Sequence, residues 1–94
     1  MMYIMVRWLH NLKDEPVMLY SELDSAGREV RKVEVFRDGS CGYADAGEQR
    51  GSTRLGIVPV PDIAEIAKNP EFEPKLITKD EFEQVWQRRQ DGRN

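Results

Sequence analysis

The chain has 94 residues, 39% hydrophobic and 33% charged, with a net charge of −3 and one cysteine. That length makes one domain spanning residues 1–94 and buries roughly 60–65% of the extended-chain surface, too little for a deep enclosed active site beside the core. The composition excludes disorder and an intrachain disulfide. The mild acidity disfavours binding to nucleic acid or an anionic membrane through net charge, and points to a reducing, cytoplasmic setting.

Residues 2–10, "MYIMVRWLH", are apolar, rich in strand-forming types and too short for a typical helix, so they predict a strand. Ile4, Val6 and Trp8 share one face, and Tyr3, Met5, Arg7 and Leu9 share the other. Only Arg7 is strongly polar, the pattern of an interior strand covered on both sides. The stretch also lacks the basic start and cleavage site of a signal peptide. "NLKDE" turns the chain. In "PVMLYSEL" a second strand places Val17, Leu19, Ser21 and Leu23 together. After the turn "DSAGRE", residues 28–37 make a third strand, in which Val33 and Val35 alternate while Val30 and Phe36 break phase. A bulge accounts for that break.

Asp38-Gly39 is a hairpin signal. A two-residue loop there pairs Val35 with Gly42 and Val33 with Ala44, leaving Lys32, Glu34, Phe36, Cys41, Tyr43 and Asp45 on the opposite surface. The valine face, with small residues opposite, then lets a helix approach closely. Residues 46–61 have no periodicity and read as a loop with a short extended piece near 53–58. Asp62 and Glu65 start a short helix with an Ile63, Ile66 and Ala67 stripe, and Asn69-Pro70 ends it. "EFEPKLI" is extended, Pro74 opposing helix. Thr78 and Glu81 form a capping box for a last helix whose Phe82, Val85 and Trp86 make one stripe. Arg88, Arg89 and Gly92 suit its C-terminal end. The expected fold is α+β: an antiparallel meander of about four strands with the two C-terminal helices packed on one face.

Chemical signatures are sparse. "GEQRGSTRLG" has neither the lysine nor the strand–loop–helix setting of a phosphate loop, and GxGxxG is absent. Cys41 has no second cysteine to resolve an oxidised form and reads as a packed thiol. His10, the one histidine, cannot form HExxH, and no GxSxG accompanies the serines. No catalytic set, metal site or cofactor is expected. The C-terminal carboxylates read as caps and a solvated face. Tyr3, Tyr20, Phe36 and Tyr43 could form a stacking surface for single strands, but the RNA-reader octapeptide is missing, and packing accounts for them.

The candidate binding residues are therefore His10, Tyr20, Glu22, Tyr43 and Asp45, with Arg50 and Arg54 of the glycine-rich loop. The leading expectation is a non-enzymatic module that binds a protein partner, immunity-like or regulatory. The alternatives are a small enzyme or small-molecule binder using His10, Tyr20, Glu22, Asp45 and Arg54, and a single-strand nucleic-acid binder. The expected state is a monomer or a weak dimer through exposed strand edges.

The stretches "RWLH", "DEPVMLYSELD", "EVRKVEVFRDG", "GYAD", "TRLG", "PVP", "EFEP" and "ITKDEFEQVW" resemble, in this order, a family of small bacterial proteins known as a domain of unknown function. The likeness runs from about residue 3 to residue 86. It implies a free-standing domain and carries over no activity, cofactor or catalytic set. Some small acidic domains of this sort act as partners of toxins, an analogy only.

Overall fold

The computed structural model describes residues 1–89. Its strands are β1 (Met2–Trp8), β2 (Met18–Leu23), β3 (Glu29–Val35), β4 (Cys41–Ala44), β5 (Gln49–Arg50) and β6 (Phe72–Ile77), with helices α1 (Ile63–Ala67) and α2 (Lys79–Gln87). All six strands join one sheet in the order β5-β4-β3-β2-β1-β6, and each neighbouring pair is antiparallel. The class is α+β, as expected, but among the described residues there are six strands and not about four. The added pair are β5, only two residues long, and β6, which Pro74 disguises. An edge strand tolerates proline because its missing N–H can face away from the ladder, and among the described residues β6 pairs only with β1.

The alternation in β1 divides the core. Ile4 and Val6 point to one face and form a buried cluster with Leu23, against which Leu19, Val60, Ile63, Ile66 and Phe72 pack. Helix α1 therefore lies on that face, which we call the groove face. Tyr3 points the other way and meets Phe82 of α2 at a ring-centroid distance of 5.5 Å. The expectation that both helices cover one face is thus corrected: they cover opposite faces, and β1 is buried between them.

The bulge expected in the third strand is present. Glu22 pairs with Arg31 but Leu23 pairs with Glu29, so Val30 is the extra residue. The hairpin that follows differs from expectation by one residue. Phe36 N–H donates to Ser40 O at 2.8 Å and Gly39 N–H donates to Phe36 O at 2.9 Å, which encloses a three-residue loop, Arg37 to Gly39. Gly39 has φ of 90°, and the Asp38 carboxylate accepts from Ser40 N–H at 2.9 Å and its hydroxyl at 2.6 Å. This is the longer hairpin, in which the glycine follows the turn in a left-handed conformation.

The extra loop residue moves the whole of β4 by one position. Val35 pairs with Cys41, Glu34 with Gly42, Val33 with Tyr43 and Lys32 with Ala44. Because side chains alternate, a one-residue slip exchanges the two faces of a strand. Tyr43 and Cys41 thus join Val33 and Val35, while Gly42 and Ala44 join Lys32 and Glu34 on the groove face. Helix α2 docks on the Val33 side as expected, but against Tyr43, whose ring meets Trp86 edge-on at 5.8 Å.

Both predicted caps form. The Asp62 carboxylate accepts from Glu65 N–H at 2.9 Å at the start of α1. At α2 the box is reciprocal, with Glu81 N–H donating to Thr78 Oγ1 at 3.0 Å and Thr78 N–H donating to Glu81 Oε1 at 2.8 Å. Replacing Thr78 by alanine is expected to cost about 1 kcal/mol in urea denaturation, the usual worth of a lost N-cap. At the other end Arg88 and Arg89 donate to the Gln84 and Trp86 carbonyls at 3.3 and 2.6 Å. Gly92 lies outside the described residues.

Candidate functional site

Three of the candidate residues lie on the face under α2. Glu22, on β2, is 6% exposed. It accepts from Arg31 Nε at 2.6 Å, Arg31 Nη2 at 3.1 Å and the Tyr3 hydroxyl at 2.9 Å. These hydrogen bonds from the guanidinium hold its carboxyl below the ordinary range, against the opposing effect of burial. Tyr43 is buried beneath Trp86 and Arg89, its hydroxyl 3.5 Å from Glu48 Oε2. Tyr20 is half-buried beside Val33 and Met5, and burial raises its phenol above the ordinary value. Tyr3 and Tyr43, two of the ring platform considered for single strands, lie buried against α2.

Three of the other candidates serve local structure elsewhere. His10 stacks edge-on against Trp8 at 4.3 Å; its Nδ1 accepts from Leu12 N–H at 2.9 Å and its Nε2 lies 2.8 Å from Pro16 O. It thus ties down the turn between β1 and β2. The Asp45 carboxylate accepts from Gly47 and Glu48 N–H at 2.9 and 2.8 Å, closing the β4–β5 turn. Arg54 folds onto its own loop, donating to the Gly51 and Thr53 carbonyls at 3.1 and 2.9 Å. Arg50 is exposed on β5, opposite Tyr43. The five residues His10, Tyr20, Glu22, Asp45 and Arg54 do not converge on one cleft. Burial pushes the Cys41 thiol up, away from a reactive thiolate. Among the described residues no cluster of three or more His, Cys, Asp or Glu side chains is placed to hold a metal.

The groove face carries what the sequence did not single out. Residues 51–56 cross it as a strap: the Thr53 hydroxyl donates to Glu34 Oε1 at 2.7 Å, Gly56 N–H donates to Glu29 Oε1 at 2.6 Å and Lys32 Nζ donates to Arg54 O at 3.3 Å. Between the strap and α1 lies an open groove of about 370 Å³. Its floor and helix wall are Val6, Leu19, Val60, Ile66 and Phe72, with Ser21 and Glu29 on the strap side. At its lip the chain turns outward, leaving Ile57 88% and Val58 67% exposed. The backbone there is pinned: Ile57 O accepts from Arg28 Nη1 at 2.8 Å, and Val60 N–H donates to Gly27 O at 2.8 Å. A more polar hollow of about 550 Å³ lies by the β3–β4 hairpin, with Lys13, Asp14, Arg37 and Asp38 in its lining.

Residues 2–91 match the family model for a domain of unknown function, DUF6881. The chain belongs to that family. No curated protein and no solved structure matches it. Within this DUF6881 domain, no helix among the described residues is long and apolar enough to cross a membrane. The sequence singled out neither Glu29 nor the Ile57–Val58 pair, for different reasons. Glu29 sits in an alternating charged strand that reads as solvent-facing, and "GIVPVP" has no period to assign its apolar side chains a face. Only the prolines at 59 and 61, which stiffen the segment, signalled a shaped loop.

Proposed function

We propose that this domain is a non-catalytic, cytoplasmic protein-binding module of a regulatory or immunity-like kind, which engages its partner through the Ile57–Val58 projection. The observation that carries this reading is the pairing of exposure with rigidity. An isoleucine 88% exposed on a backbone pinned on both sides keeps its apolar surface in water permanently. Two prolines limit that segment further, so little conformational entropy remains to be lost when a partner covers it. Two further features support the reading. The titratable side chains that could serve catalysis are engaged in turns and ion pairs, and the net charge of −3 suits a cationic partner surface. Pro74 and the exposed Lys75 blunt the β6 edge, which favours a monomer over an edge-to-edge dimer.

The test is capture from lysate at low and moderate salt with the wild-type domain and the double variant Ile57→Glu, Val58→Glu. Both side chains are exposed, so the variant is expected to unfold within about 0.5 kcal/mol of wild type. A specific partner should be retained by the wild type at both salt concentrations and lost by the variant. Equal capture by the two, or no specific partner at all, counts against the proposal.

A further inference from the structure

We infer that the groove between α1 and the strap is a binding site for a small organic cation, an apolar body ending in one ammonium or guanidinium group. This inference is independent of the Ile57–Val58 projection, which is not part of the groove lining. Its volume, about 370 Å³, lies within the range of small-ligand pockets and equals that of roughly twelve waters. Val6, Leu19, Val60, Ile66 and Phe72 line it with hydrocarbon, so its preferred occupant is mostly apolar.

The charge of that occupant follows from Glu29. The Glu29 side chain is 8% exposed yet lines the groove. Its Oε1 is satisfied by Gly56 N–H at 2.6 Å, with Lys32 Nζ at 3.5 Å. Among the described residues its Oε2 has only the long 3.5 Å contact from the Ser21 hydroxyl. A buried carboxylate oxygen with so weak a donor is a poor match for its desolvation, and a charged N–H group is the donor that remedies it best. An ammonium has three donors. Acceptors 3.5 Å apart, as Glu29 Oε2 and Ser21 Oγ are, fall within reach of a single one.

The surroundings point the same way. Lys32 lies between Glu29 and Glu34, at 3.5 and 3.8 Å, so this half-buried trio holds two carboxylates against one ammonium. On the helix wall Glu65 is paired with Lys68, at 2.7 Å, and among the described residues no lysine or arginine lines the groove. An anionic ligand would meet like charge, and a neutral one would leave Glu29 Oε2 as it is.

The probes are 2-phenylethylammonium and n-hexylammonium, each against its neutral alcohol, with phenylacetate as the anionic control, all followed by amide chemical shifts. At least one ammonium should bind roughly tenfold or more tightly than its alcohol, the usual scale for a charge-assisted hydrogen bond. Its shifts should centre on Leu19, Ser21 and Ile66, and phenylacetate should not bind. Glu29→Gln should bring that ammonium to within about twofold of its alcohol while apolar binding persists. The contrast on the wild-type protein stands even if that variant does not fold. The inference is overturned if neither ammonium outbinds its alcohol, if the shifts map outside the groove, or if a folded Glu29→Gln keeps the preference.

Discussion

Replacing Gly42 by alanine is expected to destabilise the domain by about 3 kcal/mol, although the change adds a single methyl group. A Cβ on Gly42 would overlap the Thr53 hydroxyl oxygen, with the Arg50 carbonyl oxygen and Thr53 Cβ both at 3.2 Å. Thr53 is 1% exposed and its hydroxyl donates to Glu34 at 2.7 Å, so it can yield only by giving up that bond or by lifting the strap. Either route loosens the hold of the strap on Glu34.

A double-mutant cycle separates this account from the one that the two-residue hairpin implied, in which Gly42 makes room for α2. Thr53→Ala alone should cost about 1 kcal/mol, the worth of its hydrogen bond. Combined with Gly42→Ala it should recover roughly 1 kcal/mol or more of the sum, because the clashing oxygen is gone. A helix-facing Gly42 predicts strict additivity with Thr53→Ala and coupling to Trp86 instead. Urea denaturation of the four proteins decides between them.

That contrast also locates the limit of what the residues reveal by themselves. The strands β1 and β2 were legible from their strand-forming composition and length, and the bulge at Val30 was legible as a break in the alternation of the third strand. The faces of β4 were not. "CGYA" has no strong pattern of its own, so its face rested on loop length, and Asp-Gly serves two- and three-residue hairpins alike. One residue there reassigned Tyr43, Cys41, Gly42 and Ala44 together.

The same dependence hid Arg31. In "REVRKVEV" it resembles any charge on a solvated strand. Its place beside Glu22 appears only from the β2–β3 register, and its contact with Glu83 only once α2 is docked. Helix starts, by contrast, are encoded within four residues, and both predicted caps formed.

Arg31 carries the largest expected effect. Its guanidinium donates to Glu22 at 2.6 and 3.1 Å and to Glu83 at 3.2 and 2.6 Å, joining β2 to α2 through two forked pairs. It also lies 4.9 Å from the Phe82 ring centroid and 5.1 Å from that of Trp86. Arg31→Met keeps much of the hydrocarbon but leaves two carboxylates facing each other under the helix. Removing one partner from a fully buried pair costs about 3–5 kcal/mol, because the remaining charge stays desolvated. With the Arg31 side chain 18% and that of Glu83 28% exposed, a loss of about 3 kcal/mol or more is expected. Arg31→Lys should recover only part of this, since one ammonium cannot fork to both acids.

The pH dependence tests the cause. Hydrogen bonds from Arg31 hold both Glu22 and Glu83 below the ordinary carboxylate value of 4.5, against burial, which acts in the opposite direction. The unfolded chain therefore binds more protons than the folded one as pH falls through that region. The stability these acids supply is present above about pH 4.5 and lost as pH falls through their folded values. In Arg31→Met the hydrogen bonds vanish while burial and mutual repulsion remain, so protonation relieves the variant where it weakens the wild type. The gap in unfolding free energy between the two should be widest near pH 7 and narrow steadily below pH 4. A gap that is the same at both would assign the loss to the arginine's packing against Phe82 and Trp86, and not to its charge.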